Sequence, residues 1–119
     1  MKNYSEFIKV IDCIKDSLTS CELSFIRHSL VYGSVSKMVI HEESDIDLLL
    51  LGDEPKSIKL ISMIGDSLDN NNKSSILIDF KYYSMKEFLE LKNSNLLLKS
   101  IEKDCKELEE LRNELLRFC

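Results

Sequence analysis

Residues 31–53 read VYGSVSKMVIHEESDIDLLLLGD, and the order of residue types in this stretch decides the fold. A Gly-Ser pair ends one apolar segment, and two aspartates, Asp45 and Asp47, then open a run of branched apolar residues. Alternation along a strand places both carboxylates on one side, about 7 Å apart at Cα, while Ile46 points to the other side. Because a carboxylate at the start of a buried strand is costly, the pattern indicates that something there requires the charge.

Helical and extended patterns alternate along the chain around this stretch. Apolar residues at three- and four-residue steps predict a first helix, and β-branched and aromatic residues predict a strand over 24–32. The unbroken apolar run over 45–51 predicts a second strand covered on both faces, and 76–83 reads as a third strand. The predicted architecture is an α/β or α+β domain with a small sheet of three or four strands.

Two further helices are predicted on either side of the third strand. Pro55 is well placed to open the helix that follows the second strand. The expected buried side of that helix consists of Ile58, Ile61, Ile64 and Leu68. Ser84 and Glu87 have the spacing of a capping box, which predicts the start of a short helix directly after the third strand.

The C-terminal segment has a helical pattern. We predict a C-terminal helix over about 95–118, within a single domain over residues 1–119. Its apolar stripe consists of Leu97, Ile101, Leu108, Leu111, Leu115 and Phe118. The stripe either covers the domain's own sheet, which is favoured up to Leu108, or docks a partner or second copy, which gains weight beyond Leu111.

Composition and charge narrow the function. The chain is 44% hydrophobic and 31% charged, as is ordinary for a globular protein, and no apolar run approaches the roughly 20 residues that span a bilayer. A formal net charge of −5 disfavours general DNA or RNA binding, because the phosphate backbone is also negative. A nucleotide that arrives with a divalent cation is not excluded, since the metal supplies positive charge. We therefore expect a cytoplasmic protein with no membrane partner.

Asp79 and the Gly-Ser pair supply the remaining parts of a candidate site. If the third strand neighbours the second, Asp79 completes a three-carboxylate cluster with Asp45 and Asp47, and such oxygen ligands suit Mg²⁺ or Mn²⁺. Gly33 and Ser34 lie where a strand turns into a helix, so backbone N–H groups and the Ser34 hydroxyl can hold phosphate oxygens. Taken singly, each is better explained as a turn, cap or strand residue. Taken together, their order and spacing favour a site for a metal-bound nucleoside triphosphate.

A family resemblance rests on residues 33–50, GSVSKMVIHEESDIDLLL. This stretch closely resembles the signature of the minimal nucleotidyltransferases, members of the DNA polymerase beta-like nucleotidyltransferase superfamily. The resemblance continues more weakly through Asp79, at the position of the third carboxylate, and through LLLKSIEKDCKEL near the C-terminus. Lys37 and Met38 stand where an Arg-Gly pair is usual. Lys37 keeps the positive charge without the planar fork of arginine, and Met38 predicts a tighter helical continuation than glycine would give.

The resemblance implies a nucleotidyltransferase fold, with a small mixed β-sheet flanked by helices. It also implies an enzyme that transfers a nucleoside monophosphate, AMP from ATP or the equivalent group from another NTP, to a hydroxyl, with release of pyrophosphate. The implied catalytic and metal-binding residues, with Mg²⁺ or Mn²⁺ as cofactor, are Asp45, Asp47 and Asp79. The implied nucleotide-binding residues are Gly33, Ser34 and Lys37.

The resemblance further implies a protein partner. Many minimal nucleotidyltransferases act as antitoxins that add AMP to a tyrosine of a small helical HEPN protein. A chain of 119 residues is too short for a second domain that would grip an antibiotic, tRNA or DNA, so a HEPN-type partner is expected, with a homodimer as another arrangement. Two other functions stay open. One is a binding module without catalysis, and the other is a small-molecule (aminoglycoside-type) transferase whose pocket forms between two copies.

Overall fold

The computed structural model describes residues 4–41 and 43–118 of the chain. Its elements follow in the order α1 (Tyr4–Leu18), β1 (Ile26–Tyr32), α2 (Gly33–Ser36), β2 (Ile46–Gly52), α3 (Ile58–Asn71), β3 (Ile78–Ser84), α4 (Met85–Leu91), α5 (Leu96–Lys103), β4 (Lys106–Glu107) and α6 (Leu108–Arg117). A 3-10 turn over Cys21–Leu23 separates α1 from β1. None of the helices in the described ranges has the length and apolar character needed to cross a membrane.

The four strands form one mixed sheet in the order β3-β2-β1-β4. β1 is antiparallel to both β2 and β4, whereas β2 and β3 run parallel and are joined through α3. A parallel pair requires such a crossover, which is why a helix lies between these two strands. The predicted small mixed sheet flanked by helices is confirmed, and its strand number is four.

The side chains of β2 alternate between two cores, one on each face of the sheet. Ile46, Leu48 and Leu50 pack in the core beneath α1, α3 and α6. Leu49 and Leu51 pack in the smaller core beneath α4 and α5. All five are at most 3% exposed, so the prediction of cover on both faces is confirmed.

The helix after β2 begins later than predicted. α3 starts at Ile58 rather than at Pro55, because the Ser57 hydroxyl caps it by accepting a first-turn backbone N–H at 3.1 Å. Ile58 is 91% exposed, so the prediction that it lies on the buried side of the helix is wrong. That side begins one turn further on and includes Ile64 and Leu68.

The C-terminal segment contains two helices, so the prediction of one helix over about 95–118 is wrong. α5 ends at Lys103, and β4 then pairs with the open side of β1 before α6 begins at Leu108. Without β4, β1 would be an edge strand with unpaired backbone groups, which a short added strand satisfies. The break sends α5 and α6 to opposite faces of the sheet.

The apolar stripe of the C-terminal segment largely covers the protein's own sheet. Leu108, Leu111 and Leu115 on α6 are at most 4% exposed and belong to the larger core. The prediction that this helix docks a partner beyond Leu111 is therefore wrong for Leu115, whose side chain has no exposed surface. Phe118 is 64% exposed, and its ring centroid lies 5.9 Å from that of Tyr4.

Candidate active site

The pairing of β2 with β3 brings Asp47 and Asp79 side by side. The two aspartates are register partners in a parallel pair, so their side chains project from the same face of strands about 4.8 Å apart. The backbone N–H of Ile46 donates to the carbonyl of Leu77 at 3.0 Å and extends this ladder. Asp45 stands immediately before β2, two residues from Asp47. The three predicted carboxylates therefore lie at the N-terminal ends of the parallel strands β2 and β3.

The Asp47 carboxylate lies where its negative charge is disfavoured. Burial, followed by the charges of Asp79 and Asp45, raises the pKa of the Asp47 carboxyl. Lys81 acts in the opposite direction, since its positive charge favours the ionised form. The fold thus holds a carboxylate in a partly buried position beside two others, and a bound cation would relieve the repulsion.

Gly33 lies directly against the Asp47 carboxylate. A Cβ atom added at Gly33 would lie 2.5 Å from Oδ2 of Asp47, and the residue has a φ of +76°. Both the close approach and the left-handed backbone require glycine. The exposed residue Ser34 follows in α2. The Gly-Ser turn therefore adjoins the carboxylates in space as well as in sequence.

Helix α2 is a single turn that ends at Ser36. Met38, which was predicted to continue the helix, instead has a φ of 63°, and the N–H of Val39 donates back to the carbonyl of Ser34 at 3.0 Å. The prediction of a tighter helical continuation is therefore wrong. Met38 adopts the left-handed conformation that glycine adopts most readily, and this conformation ends the helix.

Two neighbours of the carboxylates, Tyr32 and Lys81, were not predicted from the sequence. Tyr32 is the register partner of Asp47 on β1, and burial, followed by the charges of Asp47 and Asp79, raises the pKa of Tyr32 to about 12. Lys81 lies on the same face of β3 as Asp79 because it is two residues further along the strand. That two-residue spacing could have predicted Lys81 from the sequence. For Tyr32, the sequence offered only its position directly before Gly33.

The predicted nucleotide-binding residue Lys37 directly follows α2, on the side of the Gly-Ser turn where residues 103–106 lie. Its exposed side chain makes no ion pair or hydrogen bond with a described residue. It lines a cleft together with Ser36 and residues 103–106. Of the six residues predicted for the site, the structure thus groups Gly33 and the aspartates most closely.

The three carboxylates match Mg²⁺ or Mn²⁺ in their donor chemistry but not in their present grouping. Across residues 4–41 and 43–118, no three His, Cys, Asp or Glu side chains are grouped so that they could hold a metal ion. The donor chemistry nevertheless fits, because carboxylate oxygens are preferred by both cations and Asp47 lies in register with Asp79. The pairing of β2 with β3 thus places two of the three carboxylates side by side, while the three do not form a ligand group as the side chains stand.

Comparison with known proteins gives matches among solved structures alone. No protein-family model matches the chain, and neither does any curated protein. A chain of the toxin-antitoxin with AMP-PNP aligns with a TM-score of 0.51 at 16% identity, over 98% of this chain and 86% of that one. A mutant of the toxin-antitoxin MntA-HpeT aligns with a TM-score of 0.50 at 15% identity, over 98% and 86% of the two chains.

A second kind of structure also aligns. Spectinomycin adenyltransferase AAD(9) from Enterococcus faecialis, with ATP and spectinomycin, gives a TM-score of 0.59 at 16% identity. The alignment covers 92% of this chain but 59% of that one. At these identities the similarity shows the fold alone: this chain shares the fold of an adenyltransferase and of a chain in a toxin-antitoxin assembly.

Proposed function

We propose that this chain is a divalent-metal-dependent nucleotidyltransferase that transfers AMP from ATP to a hydroxyl group. The observation that carries the proposal is the in-register pairing of Asp47 with Asp79 next to Gly33. This arrangement places carboxylates beside a turn in which a side chain at Gly33 would collide with Asp47, within a nucleotidyltransferase fold. Chemistry at phosphorus depends mainly on positioning and charge stabilisation, so a site of few side chains is sufficient.

The proposed reaction is a displacement at the α-phosphorus of ATP. The acceptor oxygen forms a bond to this phosphorus, and the bond from phosphorus to the oxygen bridging to the β-phosphate breaks, so that pyrophosphate leaves with the electron pair. Asp79 is exposed at the edge of the sheet, where it can accept the proton of the incoming hydroxyl. Gly33 and Ser34 position the phosphates.

The carboxylates are the proposed ligands of the divalent cation. Asp45, Asp47 and Asp79 would hold Mg²⁺ or Mn²⁺ after side-chain rotation, and the positive charge would offset the repulsion that now acts on Asp47. A bound divalent cation supplies stabilisation for the negative charge that develops on the attacking and leaving oxygens.

We assign the acceptor hydroxyl to a separate protein of the HEPN type, with this chain as the antitoxin of the pair. The sequence resemblance implies such a partner, and two of the aligned structures are toxin-antitoxin assemblies. The α4–α5 region offers exposed apolar side chains at Leu89, Leu96 and Leu97, which are 55%, 85% and 42% exposed. Exposed apolar side chains suit contact with a partner helix or with a second copy of this chain.

Incubation with Mg²⁺, ATP labelled at the α-phosphate and a candidate HEPN-type partner tests the proposal. We expect label on the partner, and we expect Asp47→Asn to reduce the labelling rate by about 100-fold or more, as loss of a charge-stabilising group does. Asp53→Asn is the matched control. Asp53 directly follows β2 at its other end and pairs with Arg27 on the surface, so labelling should persist. Undiminished labelling by Asp47→Asn would rule out this site.

The folding of Asp47→Asn separates catalysis from structure. Folding raises the pKa of Asp47 above its ordinary value of 3.8. The ionised carboxylate therefore lowers the stability of the native state at pH values above 3.8. Removing the charge should therefore leave the melting temperature near neutral pH unchanged or raise it. A lower melting temperature would show that Asp47 has a structural role.

The same incubation distinguishes two other functions. Label on an added antibiotic and not on protein would indicate a small-molecule transferase, and the alignment with AAD(9) is the reason to include spectinomycin. Binding of ATP without label on any acceptor would indicate a binding module.

A further inference from the structure

The strand that carries Asp79 has one open side. β3 lies at the end of the sheet order β3-β2-β1-β4 and pairs with β2 alone. The carbonyl of Leu77 accepts from Ile46 of β2, and successive residues of a strand direct their backbone groups to opposite sides. The N–H and C=O groups of Ile78 and Phe80 therefore point away from β2, and no backbone group in residues 4–41 or 43–118 bonds to them.

The accessible part of this edge adjoins the candidate active site. Asp79 is exposed, and its neighbours Ile78, Phe80 and Lys81 are half-buried. Tyr82 has no exposed surface, so the edge is closed beyond Lys81. Residues 78–81 thus form a short open edge, and such an edge is a template for pairing with another polypeptide.

Strand order sets the side from which an acceptor reaches the carboxylates. Tyr32 of β1 pairs with one side of Asp47, and Asp79 of β3 pairs with the other. The Gly-Ser turn, which follows Tyr32 and is proposed to position the phosphates, therefore lies on the β1 side of Asp47. In an in-line displacement the acceptor enters opposite the leaving group. The acceptor side is therefore the side of Asp79 and of the open edge.

The side chains along this edge indicate what kind of segment fits it. Lys81 lies two residues beyond Asp79 on the same face of β3, and its ammonium group forms no ion pair or hydrogen bond with a described residue. On an added strand, the residues opposite Asp79 and Lys81 would also be two positions apart. Opposite charges across neighbouring strands are stabilising, so an acidic residue opposite Lys81 is favoured.

We propose that the acceptor hydroxyl lies on an extended, acidic segment of the partner protein, which pairs with residues 78–81 as a fifth strand. The proposal rests on the proposed function, since it takes Asp79 to accept the proton of the hydroxyl. Backbone hydrogen bonds to Ile78 and Phe80 hold the segment, and the hydroxyl residue lies opposite Asp79. Strand addition of this kind takes its affinity from main-chain hydrogen bonds and its specificity from alternate side chains.

Ile78→Pro tests the backbone contact. Proline removes the outward N–H and none that faces β2, and the first residue of an edge strand tolerates proline. We expect the KM for the partner to rise about tenfold, the loss expected when one hydrogen-bonded group is left unsatisfied, with the KM for ATP unchanged. Ile78→Ala is the matched control, because it also loses the side chain but keeps the N–H. An unchanged KM in Ile78→Pro, or an equal rise in Ile78→Ala, would overturn the proposal.

Two random copolymers, of glutamate with tyrosine and of lysine with tyrosine, test the chemistry of the segment. Each is incubated with the full chain, Mg²⁺ and ATP labelled at the α-phosphate. We expect Lys81→Gln to lower the ratio of glutamate-copolymer to lysine-copolymer labelling about fivefold. Lys86→Gln removes an equal charge from an exposed position on α4 and should leave the ratio unchanged. An equal fall in both variants, or label on the folded partner and on neither copolymer, would contradict the assignment.

Hydrogen exchange separates this proposal from the proposed transfer reaction. The amides of Ile78 and Phe80 should become protected when the partner is added, in the wild type and in Asp47→Asn alike. Protection in a wild-type pair that transfers no label would refute the transferase and keep the edge contact. Transfer that depends on Asp47, with both amides unprotected in the complex, would refute the edge contact alone.

Discussion

Gly33 shows how much of the candidate site depends on the size of one residue. The glycine lies where an added Cβ would be 2.5 Å from Oδ2 of Asp47, and its φ of +76° is unfavourable for other residues. The same turn contains Met38 in the left-handed conformation, so the chain tolerates strain there but has no space for a side chain at Gly33. Close contact between the turn and the Asp47 carboxylate thus depends on residue 33 being glycine, which has no side chain.

We expect Gly33→Ala to remove most of the transfer activity and to lower the free energy of unfolding by about 1–3 kcal/mol, the cost of a strained backbone conformation. Gly65→Ala is the control, because its Cβ would make an ordinary contact 3.5 Å from Phe80. In the middle of α3 it should stabilise the protein by about 0.5–1 kcal/mol and leave transfer unchanged. Urea unfolding and the labelling assay measure both effects, and an active Gly33→Ala variant would contradict the proposed contact.

At the scale of the elements, the start of α4 is specified by local chemistry. The hydroxyl of Ser84 accepts from the N–H of Glu87 at 3.1 Å, and the carboxylate of Glu87 accepts from the N–H of Ser84 at 3.1 Å. The capping box predicted from sequence is therefore confirmed. Because Ser84 also ends β3, this pair of hydrogen bonds turns the strand directly into the helix.

The capping box should make stability depend on pH. The hydrogen bond from the backbone N–H of Ser84 is the main cause that lowers the pKa of Glu87. A depressed folded pKa contributes stability above the ordinary value of 4.5, and that contribution is lost as the pH falls through the folded pKa. Glu87→Gln should cost about 0.3–1 kcal/mol near neutral pH. The difference from wild type should shrink in acid when unfolding is followed across this range, and a pH-independent difference would contradict the assignment.

At the scale of the whole molecule, the sheet is stable because helices cover both of its faces. α6 contributes Leu108, Leu111 and Leu115 to the larger core, which also contains residues of α1 and α3. Exposed apolar side chains include Leu96 and Leu97 on α5, and also Leu116 on the outer side of α6. A periodic stripe therefore did not distinguish a core helix from a docking helix, because both bury apolar residues at the same spacing.

Leu115 and Leu116, which are neighbours on α6, test which side of this helix packs in the core. Leu115→Ala should lower the free energy of unfolding by about 2–5 kcal/mol, since it leaves a cavity at a side chain that is 0% exposed. Leu116→Ala, at a residue 45% exposed, should change it by no more than about 0.5 kcal/mol. Denaturant unfolding of the isolated chain measures both. Equal, small effects would indicate that α6 packs less tightly than the structure has it.

The sequence by itself determined the local parts of this protein. Alternation put Asp45 and Asp47 on one side of β2, the apolar run required cover on both faces, and the Ser84 cap began α4. These features depend on residues close together in the chain, whose geometry follows from one dihedral pattern. Tertiary structure alone decided that Asp79 lies in register with Asp47, that β4 divides the C-terminal helix, and that residues 103–106 lie beside Lys37. Each of these joins distant segments, and their register depends on backbone pairing and two-sided packing that no single segment contains.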